Sequence, residues 1–110
     1  MNIPSNYQIH LFPGGALSMF SAVGFNLFNK ENPVAMSFTT GFWSYAAAVE
    51  QARLGTVHNV LPTVTKDNLG ISTLPEEKDW HLLEKADFLH YCDNETVTGF
   101  EIHDFPFDKF

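Results

Sequence analysis

The sequence predicts an α+β fold in which two helices cover an antiparallel sheet, in the order β-β-β-α-β-α-β-β. Three observations support it. Residues 16–28 alternate larger apolar and small side chains with the period of two that is typical of a strand. Residues 41–54 carry apolar side chains at helical spacing. The 110 residues are 45% hydrophobic and include eleven Phe, which predicts one compact domain over residues 1–110.

The first half of the chain predicts three strands. Residues 7–12 (YQIHLF) form a short strand that ends at the turn Pro13-Gly14-Gly15. Residues 16–28 and 34–40 form two more, joined by the loop 29–33. This hairpin is apolar on one side, so it needs a cover.

The cover is the helix 41–54, with Thr40 as its N-cap and Gly55 just beyond its C-terminus. At 100° per residue, one apolar stripe faces the sheet, namely Phe42, Tyr45, Ala46, Val49 and Ala52. A second, smaller apolar strip contains Trp43, Ala47 and Leu54.

The second half predicts a strand over 56–65, a helix over 72–86 and a closing hairpin over 87–103. Pro62 marks the strand as an edge or terminating position, and Thr73 and Glu76 are spaced as a capping box for the helix. The hairpin turns at Asn94–Glu95, which places Leu89 opposite Phe100. Residues 104–110 form an apolar tail that folds back on the core or binds a neighbour.

The net charge of −7 lies entirely in residues 66–110, where eleven carboxylates face four lysines. With one Arg and no basic run, the sequence argues against direct nucleic-acid binding. The apolar run 11–28 is broken by Pro and Gly, and the first residues carry no basic segment, so neither a membrane span nor a signal peptide is predicted. The single cysteine, Cys92, agrees with a reducing compartment, and we expect a cytoplasmic protein.

The amino end of the 41–54 helix is the candidate ligand site. Backbone amides at its start can hold an anion, aromatic side chains can line a pocket, and the only arginine can pair with a negative group. The candidate residues are Thr39, Thr40, Gly41, Trp43, Tyr45 and Arg53. The alternative for Arg53 is that its stem lies along apolar surface and its head pairs with Glu50.

Three residues of the closing hairpin are of metal-ligand type and share its predicted outer face: His90, Cys92 and Glu101. The default for such residues is a polar outer face, and no metal or other cofactor is predicted. No Ser/His/Asp, HExxH or phosphate-loop spacing occurs, so enzyme activity has no positive support from the sequence.

These observations predict a non-enzymatic binding or accessory protein that acts through protein contacts, with itself or another protein, such as an inhibitor carried by a bacteriophage or mobile element. Its apolar surplus predicts an interface that contains Trp43, Ala47, Leu54, Phe105, Phe107 and Phe110. The alternative is a module that binds or sequesters a small anionic or nucleotide-like ligand. The third reading is an acidic mimic of nucleic acid.

Overall fold

A computed structural model describes residues 2–61, 66–68 and 70–109 of the chain. The described helices are α1 (Ala16–Leu27) and α2 (Phe42–Gln51). The strands are β1 (Val34–Phe38), β2 (Thr56–Asn59), β3 (Phe88–Tyr91), β4 (Asn94–Glu95) and β5 (Phe100–Glu101). Single 3₁₀ turns occur at Glu77–Asp79 and Phe107–Lys109. An α+β protein with two helices is confirmed.

The main sheet is parallel, so the predicted antiparallel sheet is wrong. Its strand order is β2-β1-β3, and both neighbours run parallel to β1. Ala35 lies opposite Val57 in β2 and opposite Phe88 in β3. Parallel strands require a long connection between them, and α2 supplies it between β1 and β2. The predicted strands 34–40 and 56–65 are observed in part, with residues 62–65 outside the described ones.

Residues 16–28 form helix α1 and not the predicted strand. The segment is rich in residues of good helix propensity, such as Ala16, Leu17 and Met19. Gly15 precedes it at φ 134°, a conformation that glycine adopts without strain. Gly24 is the buried residue of α1, and a Cβ built there would lie 2.9 Å from Leu54 Cδ1. The small residues in this run therefore serve close contact between the two helices.

Helix α2 packs with a different face from the one predicted. Its buried residues are Ser44, Ala47 and Gln51, whereas Phe42 and Val49, which belong to the predicted stripe, are exposed. In β1, Ala35 and Ser37 lie on the sheet face opposite to the apolar core cluster and are fully buried. Small side chains on both elements allow a close approach of helix and sheet.

The apolar core lies on the other face of the sheet. Its fully or nearly buried members are Met36, Phe38, Val60, Leu61 and Ile102. The segment 71–86 covers this core through partly buried side chains, among them Trp80 and Leu83.

The predicted helix 72–86 is wrong, because this segment forms only the short turn Glu77–Asp79. Its backbone bonds to the sheet layer instead: His81 N donates to Val60 O (2.9 Å) and Leu83 N to Met36 Sδ (3.4 Å). Trp80 Nε1 donates to the carbonyl oxygen of Pro75 (3.0 Å). The packing of Trp80 and Leu83 thus overrides the helical pattern.

The closing hairpin has a different register. Glu95 lies opposite Phe100 and Asn94 opposite Glu101, so the predicted turn Asn94–Glu95 is a strand and the chain turns over 96–99. Leu89 pairs with Met36 in the parallel sheet and not with Phe100.

The two ends of the chain differ in their packing. In the tail, Phe105 stacks on Tyr91 with ring centroids 4.1 Å apart. Residues 7–12, predicted as a strand, belong to none of the described sheets, and Leu11 is 95% exposed. Within the described parts of the chain, no helix has the length and apolarity needed to cross a bilayer.

We expect Gly55→Ala to lower the free energy of unfolding by about 1–3 kcal/mol, as overpacking does elsewhere. A Cβ at Gly55 would lie 2.8 Å from Pro33 Cβ and 2.9 Å from the Phe28 ring. Denaturant titration measures the change. The matched control is Gly14→Ala, where no atom lies within 4 Å of the added carbon. Equal stability of the two variants would contradict the close packing at Gly55.

Candidate functional site

The carboxyl ends of the strands and the amino ends of both helices meet at one edge of the sheet. Helix α2 begins just after β1 ends, and β3 ends beside β1 because Phe38 lies opposite Tyr91. Helix α1 runs in the same direction as α2: its Ser21 Oγ donates to Glu50 Oε2 (3.2 Å), and its Gly24 meets Leu54. In parallel α/β sheets, ligands bind at this edge.

Glu95 caps α2 from a distant part of the chain. Its Oε2 accepts from Trp43 N (2.7 Å) and its Oε1 from Ser44 N (2.8 Å). Thr40 Oγ1 donates to Oε1 at 3.5 Å. The Glu95 side chain is fully buried, and among the described residues it forms no ion pair. The positive end of the helix dipole and these donors compensate its charge.

The predicted N-cap Thr40 is therefore displaced from that role. Gly41 is the N-cap residue, and Ser44 Oγ accepts from Thr40 N (2.9 Å) and Gly41 N (3.0 Å). Four backbone amides at the start of α2 therefore already have acceptors, namely those of Thr40, Gly41, Trp43 and Ser44. An anion at the mouth of α2 would have to displace a carboxylate.

Trp43 and Thr96 form a polar and aromatic pair at the same edge. Trp43 Nε1 donates to Thr96 Oγ1 at 2.9 Å, and the indole is partly exposed. Phe42 packs edge-on against the indole with ring centroids 5.1 Å apart. The site therefore presents a fixed aromatic ring beside a hydroxyl.

The amino end of α1 is open. Gly15 is the N-cap residue of α1, and no side chain there accepts hydrogen bonds from the first helical amides. The first turn of α1 holds no acidic residue. A Cβ built at Gly14 or Gly15 would lie within 4 Å of no atom in the described part of the chain. Uncapped helix amides attract anions through their free N–H groups and the helix dipole.

The structure brings most of the predicted ligand residues together. Thr39, Thr40, Gly41 and Trp43 lie at the edge where β1 ends. Tyr45 lines a separate hollow of about 200 Å³ with Thr39. Arg53 lies beyond the far end of α2, roughly 15 Å from Trp43 along the helix axis, and its Nη2 pairs with Glu50 Oε1 at 3.3 Å. Arg53 is thus separated from the other candidates.

The predicted interface residues do not form one surface. Ala47 is fully buried, Leu54 packs against Gly24 and Phe105 stacks on Tyr91. Trp43 bonds to Thr96, Phe107 is exposed, and Phe110 lies outside the described residues. Contact with another protein or a second copy stays a prediction.

His90, Cys92 and Glu101 do not meet. In the described part of the chain, no three potential ligands are grouped closely enough to hold a metal ion. The ring of His90 packs edge-on against Phe20, with centroids 5.9 Å apart, and its buried Nδ1 has no hydrogen-bond partner among the described residues. Burial lowers the pKa of His90, while the charge of Glu95 partly opposes this effect. Burial, assisted by Glu95, raises the pKa of the Cys92 thiol to about 11.

Sequence reasoning missed Glu95 and Thr96. Both follow an apolar strand, and polar residues after a parallel strand mark a binding edge. That signal was hidden because the hairpin prediction made β3 antiparallel and assigned Asn94–Glu95 to a turn.

Comparison with known proteins gives one consistent result. No family model matches the chain. It is 43% identical over 106 residues to the phosphoserine aminotransferase of Drosophila melanogaster, covering 96% of this chain and 28% of that protein. It is 38% identical over 106 residues to the phosphoserine aminotransferase of Acinetobacter baumannii, covering 96% and 29% respectively. The crystal structure of PLP-bound phosphoserine aminotransferase from Trichomonas vaginalis matches with a TM-score of 0.71 and 33% identity, over 94% of this chain and 29% of that one.

These findings overturn the predicted function. The similar proteins are aminotransferases, which contradicts a non-enzymatic accessory protein, a phage inhibitor and the two alternative binding roles. The chain spans less than a third of the relatives it matches.

We expect the stability of the protein to fall as the pH drops through 6.5 towards the lowered pKa of His90. In that interval the unfolded chain binds a proton that the folded chain excludes, so the free energy of unfolding rises with pH. The variant His90→Phe should show a flatter dependence in denaturant titrations across this range. The control His103→Gln changes an exposed imidazole and should keep the parental slope. An unchanged slope in His90→Phe would refute the assignment.

We expect Cys92 to alkylate slowly in the folded protein. The rise of its pKa from 9.0 to about 11 lowers the reactive thiolate fraction at neutral pH about 100-fold. Mass spectrometry after timed exposure to iodoacetamide measures the rate, with the denatured protein as the control. Equal rates in the folded and denatured states would contradict this environment.

Proposed function

We propose that this chain forms the cofactor-holding part of a phosphoserine aminotransferase, which moves the amino group of phosphoserine to an oxo acid with pyridoxal phosphate (PLP) as cofactor. The observation that carries the proposal is the identity to such enzymes across almost the whole chain. The geometry of the site supports it, because the amino ends of α1 and α2 and the partly exposed ring of Trp43 lie towards the same edge of the sheet.

The residues at this edge fit two of the three recognisable parts of PLP. The open amino end of α1 at Gly14 and Gly15 fits the phosphate, since its amides lack side-chain caps and nothing fills the adjoining space. The indole of Trp43 fits the planar ring. Thr96 Oγ1 accepts the indole N–H and keeps its own hydrogen to donate to a polar group of the cofactor.

The aldehyde of PLP has no partner among these residues. PLP enzymes bind it through a lysine amine. Of the five lysines, Lys30 and Lys85 precede β1 and β3 and so lie at the opposite edge of the sheet, and Lys78 Nζ pairs with Glu76 Oε2 at 2.6 Å. Lys66 is exposed, and the side chain of Lys109 lies outside the described part of the chain. We propose that the amine comes from polypeptide outside this chain.

PLP, when bound, supplies an electron sink that stabilises a carbanion at the amino-acid carbon. The work of this chain is to bind and orient: the start of α1 holds the phosphate and Trp43 fixes the plane of the ring. In this proposal the phosphate of the cofactor lies at the start of α1. Neither Arg53 nor the amides of Thr40 and Gly41 takes part in its binding.

We expect Trp43→Ala to weaken PLP binding about tenfold, the scale of a lost aromatic contact, and to lower aminotransferase activity on phosphoserine. Absorbance titration with PLP measures the affinity. Tyr7→Ala removes an exposed aromatic residue from the amino-terminal segment outside the sheets and serves as the control. If the unaltered protein neither binds PLP nor transfers the amino group of phosphoserine, the proposed function is wrong.

A further inference from the structure

We propose that Glu95 is a positioning residue that fixes the orientation of Trp43 before a ligand arrives. The inference rests on the proposed function for its purpose, but its geometry stands on this chain alone. Glu95 touches no ligand in this proposal, because its side chain is fully buried. Glu95 acts through Trp43, which contacts the ligand in the proposed function.

The first point of attachment is the backbone of Trp43. The two oxygens of Glu95 accept from Trp43 N at 2.7 Å and Ser44 N at 2.8 Å, so a planar carboxylate spans two successive amides. Charged hydrogen bonds of this length are among the stronger ones in proteins. Gly41 leaves the space for them, since a Cβ there would lie 2.7 Å from Glu95 Cδ.

The second point of attachment is the indole. Thr96, the next residue in the chain, accepts from Trp43 Nε1 at 2.9 Å. One dipeptide therefore holds both the main chain and the ring of Trp43. Its backbone is itself anchored, because Thr98 N and Gly99 N donate to Glu95 O at 3.1 and 2.8 Å.

The charge of Glu95 also selects where an anion binds. Its carboxylate occupies the amino end of α2, so the positive end of that helix dipole already interacts with a negative charge. The amino end of α1 carries no such group. A phosphate is thereby directed to α1, while Thr96 and Glu95 already hold Trp43 in one orientation, which removes ordering costs from binding.

The test compares Glu95→Gln and Glu95→Asp with the control Glu101→Gln in the protein that carries this chain. Glu101 is exposed and lies one strand away, so its variant makes the same charge change without touching α2. Glutamine offers one accepting oxygen where two amides need one each. Aspartate keeps the charge but is one methylene shorter, and should give an intermediate effect.

The first readout needs no cofactor. Hydrogen exchange of the Trp43 indole N–H, followed by NMR, should be about tenfold faster in Glu95→Gln than in the parent, the scale of one hydrogen bond. Glu101→Gln should match the parent. A folded Glu95→Gln protein with unchanged indole exchange would overturn the proposal. If Glu95→Gln does not fold, Glu95→Asp decides in the same way.

The second readout separates this inference from the proposed function. With PLP bound, the circular dichroism of the cofactor should weaken in Glu95→Gln and the Kd should rise about tenfold, while the far-ultraviolet spectrum is retained. Unchanged affinity and cofactor dichroism in a less stable Glu95→Gln protein would show that Glu95 is only structural. If the parent itself fails to bind PLP, the proposed function fails, and indole exchange still decides the role of Glu95.

Discussion

The bond between the Glu95 carboxylate and the amino end of α2 is the interaction on which this architecture depends. A charge buried without a cation is costly unless donors surround it, and here two helix amides and a hydroxyl do so. The same bond satisfies amides that a helix start leaves unpaired. It ties the short hairpin β4–β5 to the helix that crosses between β1 and β2. Loss of the carboxylate would leave the amides of Trp43 and Ser44 without an acceptor.

The parallel sheet explains why the site lies where it does. Each helix that follows or accompanies a parallel strand points its amino end towards the strand's carboxyl end, so helix dipoles of the same sign converge there. In this chain one of the two helix starts is filled by Glu95 and the other, at Gly15, is open. Aromatic and hydroxyl groups from Trp43 and Thr96 complete the same edge. The arrangement can hold an anionic, planar ligand with few side chains.

Sequence patterns predicted the elements whose structure depends mainly on neighbouring residues in the chain. Helix α2, strand β1 and the start of β2 were found because their spacing and flanking residues agree with their packing. Residues 16–28 were misread because apolar and small residues satisfy both periods there, and it is helix propensity together with the contact of Gly24 with Leu54 that favours the helix. The sequence pattern of residues 72–86 predicts a helix, but Trp80 and Leu83 pack against the core and the segment forms only a short turn. In the site, Trp43 and Thr39–Gly41 are candidates because they flank a helix start, and their role in ligand binding stays a prediction. Glu95, in contrast, acts across 52 residues, and no short motif reveals it. The proposed function has no local signature in our sequence analysis and rests on similarity to longer proteins.

The long reach of the Glu95 cap has a consequence for biosynthesis. A ten-residue helix is marginal in water by itself, and the cap for α2 is translated 52 residues after Trp43. At common elongation speeds this delay is roughly 3–10 s. Throughout that interval we expect the ribosome-bound chain to lack a stable α2 and to expose apolar surface, which favours aggregation. Maturation of this region thus waits for its last third to emerge from the exit tunnel.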